Sequence, residues 1–412
     1  MGSRHRTNSH GTRLVFGKSS TAFEVQIRRE GRWTIEGTYD DERRALASAR
    51  SWLAVSGVEE VKAIKFRSLA GLSLETVIFQ KAVPVVKDKP MTLGGTAEGA
   101  PYCTAPGDLY GFESRVVTGR LLRPFLDKFR ITPTELLHSW TYLRKLDEQG
   151  LLLGAALQAA ARHHADRHGV AVPARARELR GFAEAVMARA RDFQAERKAL
   201  PAFDPADLSR SSRALAAAVG EEGHDFAFLS QLTLHLADRN SLAGKLEMLL
   251  DLIGPDVEPR HLAVLDGVMA DALGSAELVK ELLGAQPNLA LGLCALADLI
   301  LGRDPQPKSE PVSPLLAHIG ALIVQGRAPC CRAVLLERIQ QSLNGTQPLD
   351  RRDPKKEALL ADHLATHLRD PQGRLLGGAE AEKALARRLI RHRQAILREQ
   401  GMHDIADRLS GR

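Results

Sequence analysis

Two histidine pairs at helical spacing are the first residues in this chain that could do chemistry. His164 and His168 stand four apart, and so do His363 and His367. That spacing puts both imidazoles of a pair on one helix face, as metal ions require. Neither pair has the glutamate of a zinc-protease helix, and the sequence indicates no third ligand for either. Arg162 and Arg167 also make the first pair's surroundings cationic. Both pairs are therefore read as solvated polar faces, and no metal ligand is assigned. Cys330-Cys331 is a vicinal pair with no Cys-x-x-Cys partner and no nearby histidine, so it reads as two structural thiols at a helix start. Gly17-Lys18-Ser19 has the ending of a phosphate loop, but the first glycine would have to stand where Thr12 is, and no strand precedes it. No Gly-x-Ser-x-Gly elbow, Gly-x-Gly-x-x-Gly turn or His-Glu-x-x-His helix is present. No catalytic residue and no cofactor is expected.

The strongest single patch lies in the last long helical segment. Lys383, Arg387, Arg391, Gln394 and Arg398 fall on one face, Arg388 and Arg393 widen it, and Leu385, Leu389 and Ile396 fall on another. Lys383, Arg387, Arg388, Arg391 and Arg398 are thus the candidate basic interaction face. It could meet nucleic acid, an anionic membrane surface or an acidic protein segment, against the plainer reading of a solvated helix face.

Such a segment exists within the chain. Residues 203–300 carry 6 Lys/Arg against 15 Asp/Glu, a balance of −9. Residues 1–90 carry 16 against 10, residues 91–202 carry 16 against 12 and residues 301–412 carry 19 against 13. An acidic middle between basic ends suits contacts between the segments, within one chain or between copies. It suits a uniform coat on nucleic acid less well, because the middle repels phosphate.

The elements that must position these residues divide at an aromatic boundary. All tryptophans and tyrosines lie before residue 143, and the last aromatic side chain is Phe228. Residues 1–21 form a basic polar tail. Residues 22–82 alternate as strands around one amphipathic helix, which gives ββαββ: an antiparallel sheet carrying a single helix. Trp33, Trp52, Phe66 and Phe79 are assigned to its core. The Pro/Gly-rich stretch 83–110 reads as a linker. Helices follow across 111–302, at roughly 115–130, 133–149, 151–168, 174–198, 205–218 and 224–238, and then in short Leu-rich segments. Thr132-Pro133-Thr134-Glu135 marks one helix start through its capping box. Residues 303–314 are a second linker candidate, and 315–412 form a helical region holding the basic helix. The fold expected is mainly α: the small α+β module, then a large irregular helical bundle, solenoid-like in part at most.

At 412 residues the chain is long enough for several cores. Four cysteines are too few for a disulfide scaffold, and no run of apolar residues is long enough to span a membrane. The N-terminus lacks the apolar core of a secretory signal. Cytoplasmic residence is expected, and low Lys beside abundant Arg and Ala suggests a GC-rich bacterial genome. The expected function is regulatory or scaffolding, through contact with a protein partner or with itself by charge complementarity. The alternative is nucleic-acid binding by the basic N-terminal sheet and the C-terminal basic helix.

Overall fold

The computed structural model describes residues 21–29, 31–53, 58–69, 72–82, 91–304 and 312–409. The chain divides into two compact units, residues 1–89 and 90–412. Gly17-Lys18-Ser19 and residues 305–311 of the second linker candidate lie outside the described residues.

In the first unit β1 (Thr21–Arg29) and β2 (Arg32–Tyr39) form a hairpin. Then come α1 (Glu42–Trp52), β3 (Glu60–Leu69) and β4 (Leu72–Ala82). The strands make one antiparallel sheet in the order β2-β1-β3-β4, which is the expected ββαββ module. Asp41 caps α1 by accepting from the Arg44 amide at 2.9 Å. Alternation along β1 sends Phe23, Val25 and Ile27 toward α1, opposite Val61 and Ala63 of β3. Ala45 and Ala49 of α1 close over them, and their small side chains let the helix lie near the sheet.

The same alternation fixes the other face. Arg28 pairs with Trp33, Gln26 with Ile35 and Lys62, and Glu24 with Ile64, so all of these side chains point away from α1. Phe66 shares their parity. Trp33 and Phe66 therefore do not fill the core, contrary to expectation: Trp33 is 37% exposed and Phe66 half-buried. Trp52 and Phe79 do pack against the core.

In the second unit, residues 91–110 are not a free linker. Ala97 and Cys103 are buried, Met91 and Leu93 rest on the helical core, and the Gly94 amide donates to Leu121 O at 2.9 Å. The helix expected at 115–130 is two, α2 (Phe112–Leu121) and α3 (Arg123–Phe129), because Pro124 opens a new helix. The helix expected at 133–149 is also two, α4 (Pro133–His138) and α5 (Trp140–Glu148), separated by the extended backbone of Ser139. The capping box forms: Thr132 Oγ1 accepts from the Glu135 amide at 3.2 Å, and Glu135 Oε2 accepts from the Thr132 amide at 2.8 Å. α6 (Leu151–His168) and α7 (Val172–Glu196) pack as a hairpin.

The acidic segment forms α8 (Leu208–Val219), α9 (Glu221–Leu236), α10 (Leu242–Asp251), α11 (Pro259–Leu273), α12 (Ala276–Leu283) and α13 (Leu289–Leu301). The rest forms α14 (Pro314–Val324), α15 (Pro329–Asn344), α16 (Glu357–His367), α17 (Gly378–Glu399) and α18 (His403–Arg408). A single Leu/Ala-rich core runs from Leu208 to Leu385, so it continues across residues 303–314 instead of stopping there. α4 packs on α9, α11 on α15 and α13 on α16. A solenoid would pair only sequence neighbours, so the arrangement is an irregular bundle. Apolar burial, more than charge, joins the acidic segment to the C-terminal helices. Among the described residues no single helix is long and apolar enough to cross a membrane; one bent pair, α14 with α15, passes by length and composition only.

Candidate functional sites

The predicted basic stripe on α17 divides when its residues are located. Arg388 is not on the surface: it is 3% exposed. Its guanidinium donates to the carbonyls of Ser342, Leu343, Gly345 and Gln347 and to Glu357 Oε1. It closes the C-terminal end of α15. Arg391 is half-buried and donates to the carbonyls of Asn344 and Gly345. Lys383 pairs with Glu380 at 2.8 Å and Arg398 with Asp407 at 2.9 Å. Arg387 is exposed and donates to the Lys383 carbonyl at 3.2 Å. Surface cations are therefore present but largely engaged.

Other buried charges also serve the fold. Lys245, 2% exposed, donates to Glu135 Oε1 at 2.6 Å and to Arg130 O at 2.7 Å, tying α10 to the α4 capping box. Asp271 of α11 accepts from Arg115 Nε and from both the amide and hydroxyl of Thr134, joining three helices. Asp266 accepts from the amides of Cys330 and Cys331 at 2.7 and 3.0 Å, a carboxylate at the N-terminus of α15. Burial, together with Asp266, pushes the Cys330 thiol up to about 12 and the Cys331 thiol well above its usual range. The vicinal pair is thus a helix start with inert thiols, as its sequence suggested.

One cluster resembles a nucleophilic triad. Ser212 Oγ lies 2.9 Å from His224 Nε2, and Asp225 Oδ1 lies 3.0 Å from His224 Nδ1. Arg260 approaches the same Nδ1 at 2.8 Å, so its guanidinium and the Asp225 carboxylate compete for that nitrogen, and Ser212 and His224 are both buried. Asp225 is held by Arg260 at 2.5 Å.

The two histidine pairs fare differently. His164 accepts from Arg175 Nε at 3.0 Å through Nδ1, and Arg175 stacks over Tyr102, which also contacts the His168 ring. Burial and then Arg175 lower the pKa of His164, so a cation is unwelcome there. His363 and His367 stack on one face of α16, as their spacing requires. The structure adds what the sequence did not indicate: Cys294 and Asp298 of α13 face them. The signal was legible in principle, because Cys294 and Asp298 are also four apart on a helix.

The open face of the N-terminal sheet carries Trp33, Ile35 and Val77, all exposed. The Lys62 ammonium lies 4.3 Å from the Trp33 ring centroid. Arg28 is bound to Glu59 and Glu60. Lys65, opposite Phe23, faces α1 and pairs with Glu42 at 2.9 Å.

Comparison of the chain with protein-family models, with curated proteins and with solved structures found no match.

Proposed function

We propose that this chain is an interaction protein that works by docking another protein, with a second copy of itself as the partner to test first. One observation carries the reading: the open sheet face exposes Trp33 and Ile35 on edge strand β2 and Val77 on edge strand β4, with charges of both signs on the strands between them. Tryptophan is among the side chains that most often anchor protein interfaces. Arg28 and Lys62 stand against Glu24 and Glu60 on the two central strands, with Glu75 on β4. Exposed apolar side chains interleaved with charges of both signs suit a protein surface, and a two-fold partner presenting the same face would complement it. The segregated charge of the second unit adds support. Of the 15 carboxylates in residues 203–300, all but Asp266, Asp271 and Asp298 are exposed.

The nucleic-acid alternative draws on the same Trp33, since an exposed ring can stack on a base. It is weakened by the three carboxylates on that face and by the engagement of the α17 cations. Sedimentation velocity of the full chain, over a wide concentration range at low and high salt, tests the first reading. Association should strengthen with concentration and weaken in Ile35→Asp. A chain that stays monomeric throughout, or associates equally with Ile35→Asp, refutes self-docking through the sheet. Tight binding of single-stranded or duplex probes at physiological salt, lost on replacing Arg387 and Arg398 by Ala, would favour the alternative.

A further inference from the structure

We propose that Cys294, His363 and His367 bind a divalent cation of the zinc class, with Asp298 as the carboxylate that orients His367. The four residues come from two helices that pack on each other. Cys294 and Asp298 stand one turn apart on α13, and His363 and His367 one turn apart on α16. One helix contact therefore brings two turn-spaced pairs face to face. The candidate ligand atoms of Cys294, His363 and His367 all lie within 4.8 Å of one another. A tetrahedral zinc ion with bonds of about 2.0–2.3 Å holds its ligands roughly 3.3–3.8 Å apart. Side-chain rotation of about an ångström would gather the three around an ion.

Asp298 supplies an independent observation. Its Oδ1 lies 2.7 Å from His367 Nε2, so the carboxylate accepts that ring N–H and fixes the orientation of the imidazole. Its other oxygen, Oδ2, is buried with no hydrogen-bond partner, and the residue is 2% exposed. Buried polar atoms are seldom left in that state, and an ion on the other side of the His367 ring would offset the carboxylate's charge without bonding it. Arg303 also acts on this carboxylate through its charge, while its guanidinium donates to the carbonyls of His367 and Arg369 at the end of α16.

The ligand set also selects the ion. A thiolate with two imidazoles suits Zn²⁺ or Co²⁺ over Mg²⁺ or Ca²⁺, which prefer oxygen. Cys294 is fully buried, and binding as the thiolate would release its proton to solvent. His363 is exposed, which gives the ion a path in and leaves a fourth position for water. The bound ion would fasten α16 of the C-terminal region to α13 of the acidic segment. This holds whether or not the sheet-face reading above is right.

The test is a titration of the chelator-stripped full chain with Co²⁺, followed by Zn²⁺. One equivalent of Co²⁺ should produce the near-ultraviolet thiolate-to-metal absorption, and Zn²⁺ should displace it. Cys294→Ser should remove that band. Asp298→Asn should weaken binding roughly 10–100-fold, as for loss of other outer-shell carboxylates. Cys294 and Asp298 lie in the core, so the deciding variant is His363→Ala at an exposed position. Its metal-free melting curve should match the parent's while its affinity falls at least about tenfold. Binding without the thiolate band, no binding at one equivalent, or unchanged affinity in His363→Ala overturns the proposal.

Discussion

Arg387 and Arg388 are neighbours that the sequence places on one basic face, and the structure assigns them opposite roles. Arg388 donates to four carbonyls and to Glu357 Oε1, at 2.5 to 3.2 Å. The Ser342 and Leu343 carbonyls belong to the last turn of α15, where no amide further along the helix can reach them. Glu357 is 6% exposed, and its Oε2 already accepts the Leu349 amide at 2.7 Å. Arg388→Ala would leave a buried carboxylate without its cation, which costs about 3–5 kcal/mol in comparable buried pairs. That is a large share of the ~5–15 kcal/mol that holds a domain folded. Arg388→Lys keeps the charge but has three donors for five acceptors, so it should fall between the parent and the alanine variant. Arg387→Ala removes an exposed cation and should stay within about 0.5 kcal/mol. Removing both partners, with Arg388→Met and Glu357→Leu together, should recover much of the loss. Urea unfolding followed by helical circular dichroism reads all four variants, since every helix but α1 lies in the second unit. A loss below about 1 kcal/mol in Arg388→Ala, or equal losses at 387 and 388, would show that the buried network does not carry the stability assigned to it.

Two further perturbations test other parts of the fold. Burial, the dominant cause, lowers the pKa of His138 to about 3, so the folded state holds it neutral while the unfolded chain protonates near 6.5. The unfolded state then binds the extra proton between those values, so this contribution is intact above pH 6.5 and is lost as pH falls toward 3, by up to about 1.4 kcal/mol per unit. Urea midpoints of the parent and His138→Gln measured from pH 7.5 to 5 should show that slope in their difference, and parallel curves would contradict it. Gly302 ends α13 with φ +66°, and an added Cβ would come 2.8 Å from Val324 Cγ2. Gly302→Ala should cost about 1–2 kcal/mol from the left-handed backbone alone. Adding Val324→Ala should relieve the clash but not that backbone term, as thermal melts of the single and double variants would show.

Much of the local structure was legible in the sequence. The period-2 alternation of Phe23, Val25 and Ile27 set β1, and Thr132 to Glu135 announced the start of α4. Their signals act over a few residues, through backbone sterics and capping hydrogen bonds. Residue parity on the strands was legible too, yet hydrophobicity alone points Trp33 and Phe66 into the core. In the structure the pairing register puts them on the open face. Arg388 left a trace of the same kind: it follows Ala381, Ala384 and Leu385 at helical spacing, so it stands on the buried stripe of α17. A stripe of alanine and leucine hides such an arginine, because only the carbonyls and Glu357 waiting beneath it make its burial tolerable.

What the sequence settled by itself was the kind of element at most positions, and a boundary between an aromatic, strand-bearing module and an Ala/Leu-rich helical remainder. What only the tertiary structure decided was which helix faces meet. Each of the Cys294–Asp298 and His363–His367 pairs is an ordinary one-turn spacing, and Asp298 and His367 are 69 positions apart. Nothing local aims one pair at the other. The crossing of α13 and α16 follows from burying the leucines and alanines of a single core, and the four polar side chains are brought together by that packing.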